Sequence, residues 1–128
     1  MDIINEYLNK IKEEDDSDDD MKAKPAKIGV DLDGTLAFYN GWEGHDKIGK
    51  PIPKMMARVK KWISQGKTIV IFTARAHGGE RYKTPIRQWV KDNGLPDLEI
   101  TNVKTPDMKE IWDDRAIQVK VNTGDPVL

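Results

Sequence analysis

Hydrophobic residues recur along this chain with two different spacings, and the first is that of β-strands. A β-branched run occupies residues 27–32, and a continuous apolar run, TIVIFT, occupies residues 68–73. An apolar run without alternation is typical of a strand that is buried on both faces of a sheet. Three shorter segments are further strand candidates: residues 98–102, 111–112 and 117–121.

The second spacing is that of amphipathic helices. Apolar residues fall on one helical face at residues 53–65 and again at 80–93. Pro53 stands near the start of the first segment, and a glycine follows the end of each, as is common at helix boundaries. Strands that alternate with helices predict an α/β fold. We expect a three-layer sandwich, in which helices cover both faces of a central parallel sheet of about five strands.

The N-terminal part of the chain departs from this alternation. Residues 2–13 have the spacing of a short amphipathic helix. Residues 13–20 are almost all acidic, and like charges at this density predict disorder. We therefore divide the chain into an acidic arm, residues 1–24, and one domain, residues 25–128.

The charge is distributed unevenly between these two parts. Residues 1–20 hold nine Asp/Glu and two Lys, a net charge of −7, whereas the remaining residues hold thirteen Asp/Glu and nineteen Lys/Arg, a net charge of +6; together they give −1. A basic domain suits an anionic ligand such as a phosphate ester, although a solvated, lysine-rich surface gives the same balance. The acidic arm is a candidate binding segment for a protein partner.

The absence of cysteine and of long apolar runs limits the kinds of site and segment that the chain can have. The chain has no cysteine, so disulfides and thiolate-held metals are excluded. No apolar run reaches the ~18 residues that a membrane span needs. The acidic N-terminus also lacks the apolar core of a secretion signal. We therefore expect a cytoplasmic protein that does not enter a membrane.

Polar residues follow the predicted strands, and the carboxyl ends of parallel strands meet at one edge of a sheet. These residues are Asp31, Asp33, Thr73, Arg75, Lys104, Asp113 and Asp114. Carboxylates gathered there repel one another unless a cation lies among them, and oxygen ligands without thiolates favour Mg²⁺. Gly34 permits a tight turn that aims backbone N–H groups at an oxyanion. The set predicts phosphoryl transfer, in which catalysis is mostly positioning and charge neutralisation.

Each of these residues also has an ordinary structural interpretation. The DLDGT segment has the composition of a plain turn, and Asp113-Asp114 that of a solvated one. Arg75 suits a contact with substrate and an ion pair with an acid equally well. Trp42 lies in a glycine-rich loop that either covers the site or packs against the domain.

Four segments carry a resemblance to a known family. IGVDLDGTLA, IVIFTAR, TNVK and IWDDRAIQV resemble, in this order, the four motifs of the haloacid dehalogenase-like (HAD) phosphatases. The resemblance covers about residues 27–122, and residues 81–121 are loosely similar to the phosphatase domain of phage polynucleotide kinases. It implies a Rossmann-like sheet of strand order 5-4-1-2-3. It also implies Mg²⁺-dependent hydrolysis of phosphomonoesters through an aspartyl-phosphate.

The resemblance implies a role for each matching residue. Asp31 would attack phosphorus, and Asp33 would act as general acid and then as general base. Thr73 and the N–H of Ala74 would bind phosphoryl oxygens. Lys104 would neutralise the nucleophile and the phosphate together.

The same resemblance implies a metal site and a phosphate-binding loop. The implied Mg²⁺ ligands are the carboxylates of Asp31 and Asp113, that of Asp114 either directly or through a water, and the backbone carbonyl of Asp33. Gly34 and Thr35 would shape the loop against the substrate, with Thr35 holding Asp33 in place. The spacing after Lys104 is longer than in many relatives, so Lys109 is an alternative for the active-site lysine.

Two further questions concern access and substrate. Many relatives insert a cap domain, but the segments between Asp33 and Thr73 and between Thr73 and Lys104 are too short for one. We expect an open site that only the loop at 41–49 shields. The substrate is a phosphorylated small molecule or, alternatively, the 3′ end of a nucleic acid. A non-catalytic binding module is the alternative of another class, and the presence of Asp33 favours an enzyme, because a module without turnover does not need it.

Overall fold

The computed structural model describes residues 25–128, so the helix predicted at 2–13 and the acidic run at 13–20 lie outside the described residues. The strands are β1 (Lys27–Val30), β2 (Thr68–Phe72), β3 (Glu99–Thr101) and β4 (Met108–Trp112). The helices are α1 (Pro53–Ser64) and α2 (Glu80–Asp92), and a short 3₁₀ helix covers Ala74–Gly78. The helices predicted at 53–65 and 80–93 and the first four predicted strands are therefore confirmed.

The four strands form one all-parallel sheet in the order β3-β2-β1-β4. Val30 of β1 lies opposite Ile71 of β2 on one side and opposite Trp112 of β4 on the other. The predicted α/β class with a parallel central sheet is confirmed, and the arrangement agrees with a three-layer, Rossmann-like sandwich. The observed order is the expected one without its fifth strand.

The fifth strand expected at 117–121 is not formed, and the sheet has four strands among the described residues. The segment instead bonds to the chain just after it: the Lys120 N–H donates to the Asp125 carbonyl at 2.8 Å, and the Val127 N–H to the Gln118 carbonyl at 2.7 Å. The segment thus pairs with the residues that follow it, through an isolated antiparallel bridge between Val119 and Pro126, and not with β4. Alternating valines therefore predicted a strand where the chain makes a hairpin-like turn.

One hydrophobic core joins the sheet to both helices. Met56 and Val59 of α1 and Ile86 and Val90 of α2 are buried in the same cluster as alternate residues of β1 and β2. The apolar faces that the sequence shows on the two helices are therefore the faces that pack in the core. Within residues 25–128, no helix has the length and apolar character that a membrane crossing requires.

The segments between the strands contain no further folded unit within the described residues. The chain between β1 and β2 consists of one loop and α1, and the chain between β2 and β3 consists of the 3₁₀ helix, α2 and a short connection. The carboxyl edge of the sheet is therefore bordered by loops, as the spacing of the motifs predicts.

Candidate active site

The loop after β1 is fixed by two leucines that alternate with two aspartates. Leu32 and Leu36 are fully buried, and the Leu32 carbonyl accepts hydrogen bonds from the N–H groups of Leu36 and Ala37 at 3.0 and 2.8 Å. Asp31 and Asp33 flank Leu32 and are only partly buried. Burial of the leucines thus holds the two carboxylates at the carboxyl end of the strand.

Gly34 fits this loop for two reasons. Its φ of +89° lies in the region that favours glycine, and a Cβ placed on it would lie 2.6 Å from Oδ2 of Asp114. Thr35 also contacts Asp114, because its hydroxyl donates to Oδ1 at 3.4 Å. Thr35 was predicted to hold Asp33 in place, but its side-chain hydrogen bond goes to Asp114 instead. The loop after β1 and the acidic pair after β4 are therefore in direct contact.

Three carboxylates meet at the ends of β1 and β4. Asp31, Asp113 and Asp114 each offer an oxygen within 4.8 Å of the others. The backbone supports this meeting, since the Asp31 N–H donates to the Trp112 carbonyl at 2.9 Å and continues the ladder between the strands. Three of the four carboxylates predicted to gather are thus brought together.

The electrostatics of this cluster are those of a site that lacks a positive partner. Burial first, and then the Asp113 charge and a hydrogen bond with Asp114, together raise the pKa of Asp31 to about 7. None of the ion pairs within residues 25–128 involves a member of the cluster. Crowded carboxylate oxygens without a basic side chain suit a divalent cation, and the all-oxygen set fits Mg²⁺. The carbonyl of Asp33 as a further ligand stays a prediction.

Asp33 points to a different partner. Its carboxylate accepts two hydrogen bonds from Arg75, from Nε at 2.7 Å and from Nη2 at 2.9 Å, in the bidentate geometry typical of Arg–carboxylate pairs. The Arg75 side chain is 5% exposed and that of Asp33 is 20% exposed. The sequence left open whether Arg75 contacts substrate or pairs with an acid; the ion pair is formed, and a contact with substrate stays a prediction.

Arg75 also holds the loop that precedes α1. Its guanidinium donates to the carbonyls of Lys47 at 2.8 Å, His45 at 3.3 Å and Gly44 at 3.5 Å. The same guanidinium lies over the ring of Trp42, 4.7 Å from the centroid. One buried arginine therefore links the loop at 41–49 to Asp33.

Thr73 and Ala74 lie at the carboxyl end of β2 and line a cavity that Asp31 and Asp33 also line. Thr73 is 3% exposed, its N–H donates to the Thr101 carbonyl at 2.9 Å, and its hydroxyl accepts from the Arg75 N–H at 3.2 Å. The hydroxyl is thus placed by the start of the 3₁₀ helix. Its predicted contact with a phosphoryl oxygen, like that of the Ala74 N–H, stays a prediction.

The structure separates the two candidate lysines. Lys104 lies just beyond the carboxyl end of β3, at the edge of the sheet that carries Asp31. Lys109 lies near the amino end of β4, next to Met108, which pairs with Lys27 at the opposite edge. Both side chains are exposed. Their placement favours Lys104, whose role in neutralising charge stays a prediction.

The connection that carries Lys104 is fixed where it enters β4. Asp107 is buried, accepts a hydrogen bond from the Thr105 hydroxyl and pairs with Lys27 Nζ at 3.3 Å. The Thr105 hydrogen bond, and then Lys27, lower the pKa of the Asp107 carboxyl. Asp107 is therefore ionised at neutral pH and fixes the end of a connection that has no helix.

The acid cluster opens into a cavity of about 860 Å³. Beside Asp31, Asp33, Thr73, Ala74, Arg75 and Asp113, its lining includes residues that sequence reasoning did not assign to a site: Tyr39, Phe72, His77, Tyr82, Asn102 and Arg115. Tyr82 belongs to the helical pattern at 80–93, which gave no sign of a place in the site. Asn102 stood beside Lys104 in the third motif, which was the one signal that pointed to it.

Comparison with known proteins supports the fold and no more. No protein-family model matches the chain, and a search of curated proteins finds no match. A solved structure of a conserved protein coded by a locus of Bacteroides thetaiotaomicron is similar, with a TM-score of 0.53 and 21% sequence identity. The similarity covers 73% of this chain and 78% of that chain. At this identity it shows a shared α/β architecture only.

Proposed function

We propose that this protein hydrolyses phosphomonoesters with Mg²⁺, through a covalent intermediate on Asp31. The observation that supports this most is the cluster of Asp31, Asp113 and Asp114, whose oxygens lie within 4.8 Å of one another beside a large cavity. Such crowding is costly without a cation, and Mg²⁺ sites commonly share their ion with a phosphate. The resemblance of the four motifs to HAD phosphatases supplies the class of reaction.

Each residue of the site has its own role in this proposal. Asp31, Asp113 and Asp114 would hold the ion, which when bound supplies positive charge against the carboxylates and the phosphoryl oxygens. Thr73 and the Ala74 N–H would bind the phosphoryl group from the end of β2. Lys104, at the end of β3, would add a second positive charge.

The reaction proceeds in two balanced steps. In the first, an oxygen of Asp31 forms a bond to phosphorus while the ester bond breaks, and Asp33 gives its proton to the leaving oxygen. In the second, a water gives its proton to Asp33 and attacks phosphorus, which breaks the bond to Asp31 and releases phosphate. Asp31 returns to its ionised form, and Asp33 is protonated again.

The Arg75 ion pair sets a condition on this cycle. Both oxygens of Asp33 accept hydrogen bonds from the guanidinium, and an acid must carry its proton toward the leaving oxygen. We therefore expect Asp33 to leave at least one of these two hydrogen bonds during turnover. Arg75 would then act as a positioning residue that holds Asp33 while Asp33 is ionised, after it has given its proton to the leaving oxygen.

The test is turnover of para-nitrophenyl phosphate by the full chain with Mg²⁺, with EDTA, and by Asp31→Asn. We expect hydrolysis that EDTA abolishes and that Asp31→Asn loses, while Asp97→Asn, an exposed acid outside the cluster, retains it. Hydrolysis by Asp31→Asn at the wild-type rate would contradict the mechanism. Binding of Mg²⁺ without turnover of any phosphate ester would instead favour the non-catalytic alternative.

A further inference from the structure

Aromatic side chains border the cavity that holds the acid cluster. They are Tyr39, Trp42, Phe72 and Tyr82, here called the aromatic wall. Trp42 is 54% exposed and Tyr39 is 36% exposed, so packing within the domain uses only part of their surface. Large aromatic groups left open beside a polar site are typical of ligand-binding surfaces.

The aromatic wall is held in place before any ligand binds. The rings of Trp42 and Tyr82 are stacked, with centroids 6.2 Å apart and planes inclined by 22°. The Arg75 guanidinium lies over Trp42, and Arg75 is itself fixed by Asp33 and by three loop carbonyls. Gly78 leaves room for Tyr82, because a Cβ at that position would occupy the space of the ring. A surface fixed in this way binds a flat ligand without a large ordering cost.

We propose that the aromatic wall stacks against the base of a nucleoside monophosphate whose phosphate is bound at Asp31. This assignment rests on the proposed function and names the substrate class of that site. Stacking on an aromatic side chain suits every nucleobase, since each presents a flat π surface.

Arg75 contacts the proton donor and the aromatic wall at two different sides of its guanidinium. It donates to Asp33 in its own plane, through Nε and Nη2, whereas Trp42 lies under it, 4.7 Å from ring centroid to Cζ. A base that stacks on the wall therefore suits a substrate with a spacer between the base and the leaving oxygen, and the sugar of a nucleotide is such a spacer. In phosphotyrosine the leaving oxygen is bonded to the ring itself, so that spacer is absent.

The size and polarity of the cavity agree with this substrate. A volume of about 860 Å³ is in the upper part of the range of small-molecule sites, which leaves room for base, sugar and phosphate together. Asn102 lines the same cavity and offers both a hydrogen-bond donor and an acceptor, as the edge of a base or a sugar hydroxyl requires.

The test compares phosphate release from four substrates with Mg²⁺: adenosine 5′-monophosphate, adenosine 3′-monophosphate, a 3′-phosphorylated oligonucleotide and glycerol phosphate, which has no ring. We expect kcat/KM for at least one nucleotide to exceed that for glycerol phosphate by about tenfold or more. The nucleotide substrate with the highest kcat/KM shows whether the base belongs to a free nucleotide or to the end of a strand. Equal values for all four substrates would overturn the proposal.

Variants at Trp42 identify the surface responsible. Trp42→Ala should lower kcat/KM for the preferred nucleotide by about tenfold and that for glycerol phosphate by less than about twofold, and Trp42→Phe should restore most of the loss. Phe38→Ala is the matched control, since Phe38 is 60% exposed and does not line the cavity. An equal loss on both substrates in Trp42→Ala, or a higher kcat/KM for phosphotyrosine than for the nucleotides, would overturn the assignment.

Binding of adenosine separates failure of this proposal from failure of the proposed function. Adenosine has no phosphate, so its binding does not depend on hydrolysis. We expect it to quench tryptophan fluorescence of the wild type and to have no effect on Trp42→Ala. If para-nitrophenyl phosphate is not hydrolysed but adenosine binds in this way, the proposed function is wrong and the base site stands. If the aryl phosphate is hydrolysed and adenosine does not bind, the base site is wrong and the proposed function stands.

Discussion

Asp33 and Arg75, which are 42 positions apart in the chain, are joined by two hydrogen bonds of 2.7 and 2.9 Å. The pair links the end of β1 to the start of the 3₁₀ helix after β2. Because the same guanidinium holds three carbonyls of the loop at 44–47, the position of Asp33 depends on the position of that loop. The loop at 44–47 and Asp33 are therefore expected to respond together to any change at Arg75.

Removal of the Arg75 side chain should lower the stability of the folded chain. Arg75→Ala leaves a partly buried carboxylate and three carbonyls without their donor, so we expect a loss of about 3 kcal/mol in the free energy of unfolding. Arg75→Lys keeps the charge but lacks the planar guanidinium. Its free energy of unfolding should therefore lie between those of the wild type and Arg75→Ala. Denaturant unfolding measures this. Arg87→Ala is the control, because the Arg87–Glu80 pair is exposed and should matter far less. Equal losses in Arg75→Ala and Arg87→Ala would show that the buried network contributes nothing.

The pKa of Asp31 predicts a pH-dependent stability without metal. Folding raises this pKa from 3.8 to about 7, so the folded chain binds the proton more tightly than the unfolded chain. The stability that this group contributes is therefore present below pH 3.8, falls as the pH rises toward 7 and is absent above that value. Asp31→Asn removes the dependence, and its Tm in EDTA should exceed that of the wild type by a few degrees above pH 7.

The measurement is the Tm of both proteins in EDTA between pH 4 and pH 8. The difference between Asp31→Asn and the wild type should grow across this range and level off near pH 7. Saturating Mg²⁺ should raise the Tm of the wild type more than that of the variant, since it binds the folded state. A difference that does not change with pH would mean that Asp31 is ordinarily solvated. Asp97→Asn should show no such trend.

Asp33→Asn should separate substrates by their leaving groups. An alkyl phosphate needs a proton on its leaving oxygen, so its kcat/KM should fall by about 10²-fold or more. A nitrophenyl ester needs that proton much less and should lose correspondingly less. Asp113→Asn provides the contrast, because loss of a metal ligand should slow both esters alike. If Asp33→Asn also slows both to the same extent, Asp33 is not the acid.

Lys104 in the β3–β4 connection and Lys109 in β4 can be compared directly. Lys104 lies at the edge of the sheet that carries the carboxylates, and Lys109 lies toward the other edge. We expect Lys104→Ala to lower kcat/KM by about tenfold or more and Lys109→Ala to leave it unchanged. Both residues are exposed, so neither change should alter the Tm appreciably. The reverse ranking of the two variants would assign the role to Lys109.

Local patterns in the sequence determined the elements of the fold. The helical faces of 53–65 and 80–93 and the apolar run of 68–73 predicted α1, α2 and β2, because each pattern reflects burial against one side of a regular element. The pattern at 117–121 predicted a strand of the sheet that does not form. It reports which side chains alternate, whereas strand formation depends on which backbone groups are available for pairing.

The sequence also placed the acids correctly at the ends of strands, because the carboxyl ends of parallel strands meet whatever the loops do. Only the tertiary structure decided their partners. It turned Asp33 toward Arg75, placed Thr35 against Asp114 and placed Tyr82 of α2 in the wall of the cavity. These contacts join side chains from separate elements, and no local period records the distance between them. The gathering of the acids at one edge of the sheet is therefore visible in the sequence, and the contacts that each of them makes are not.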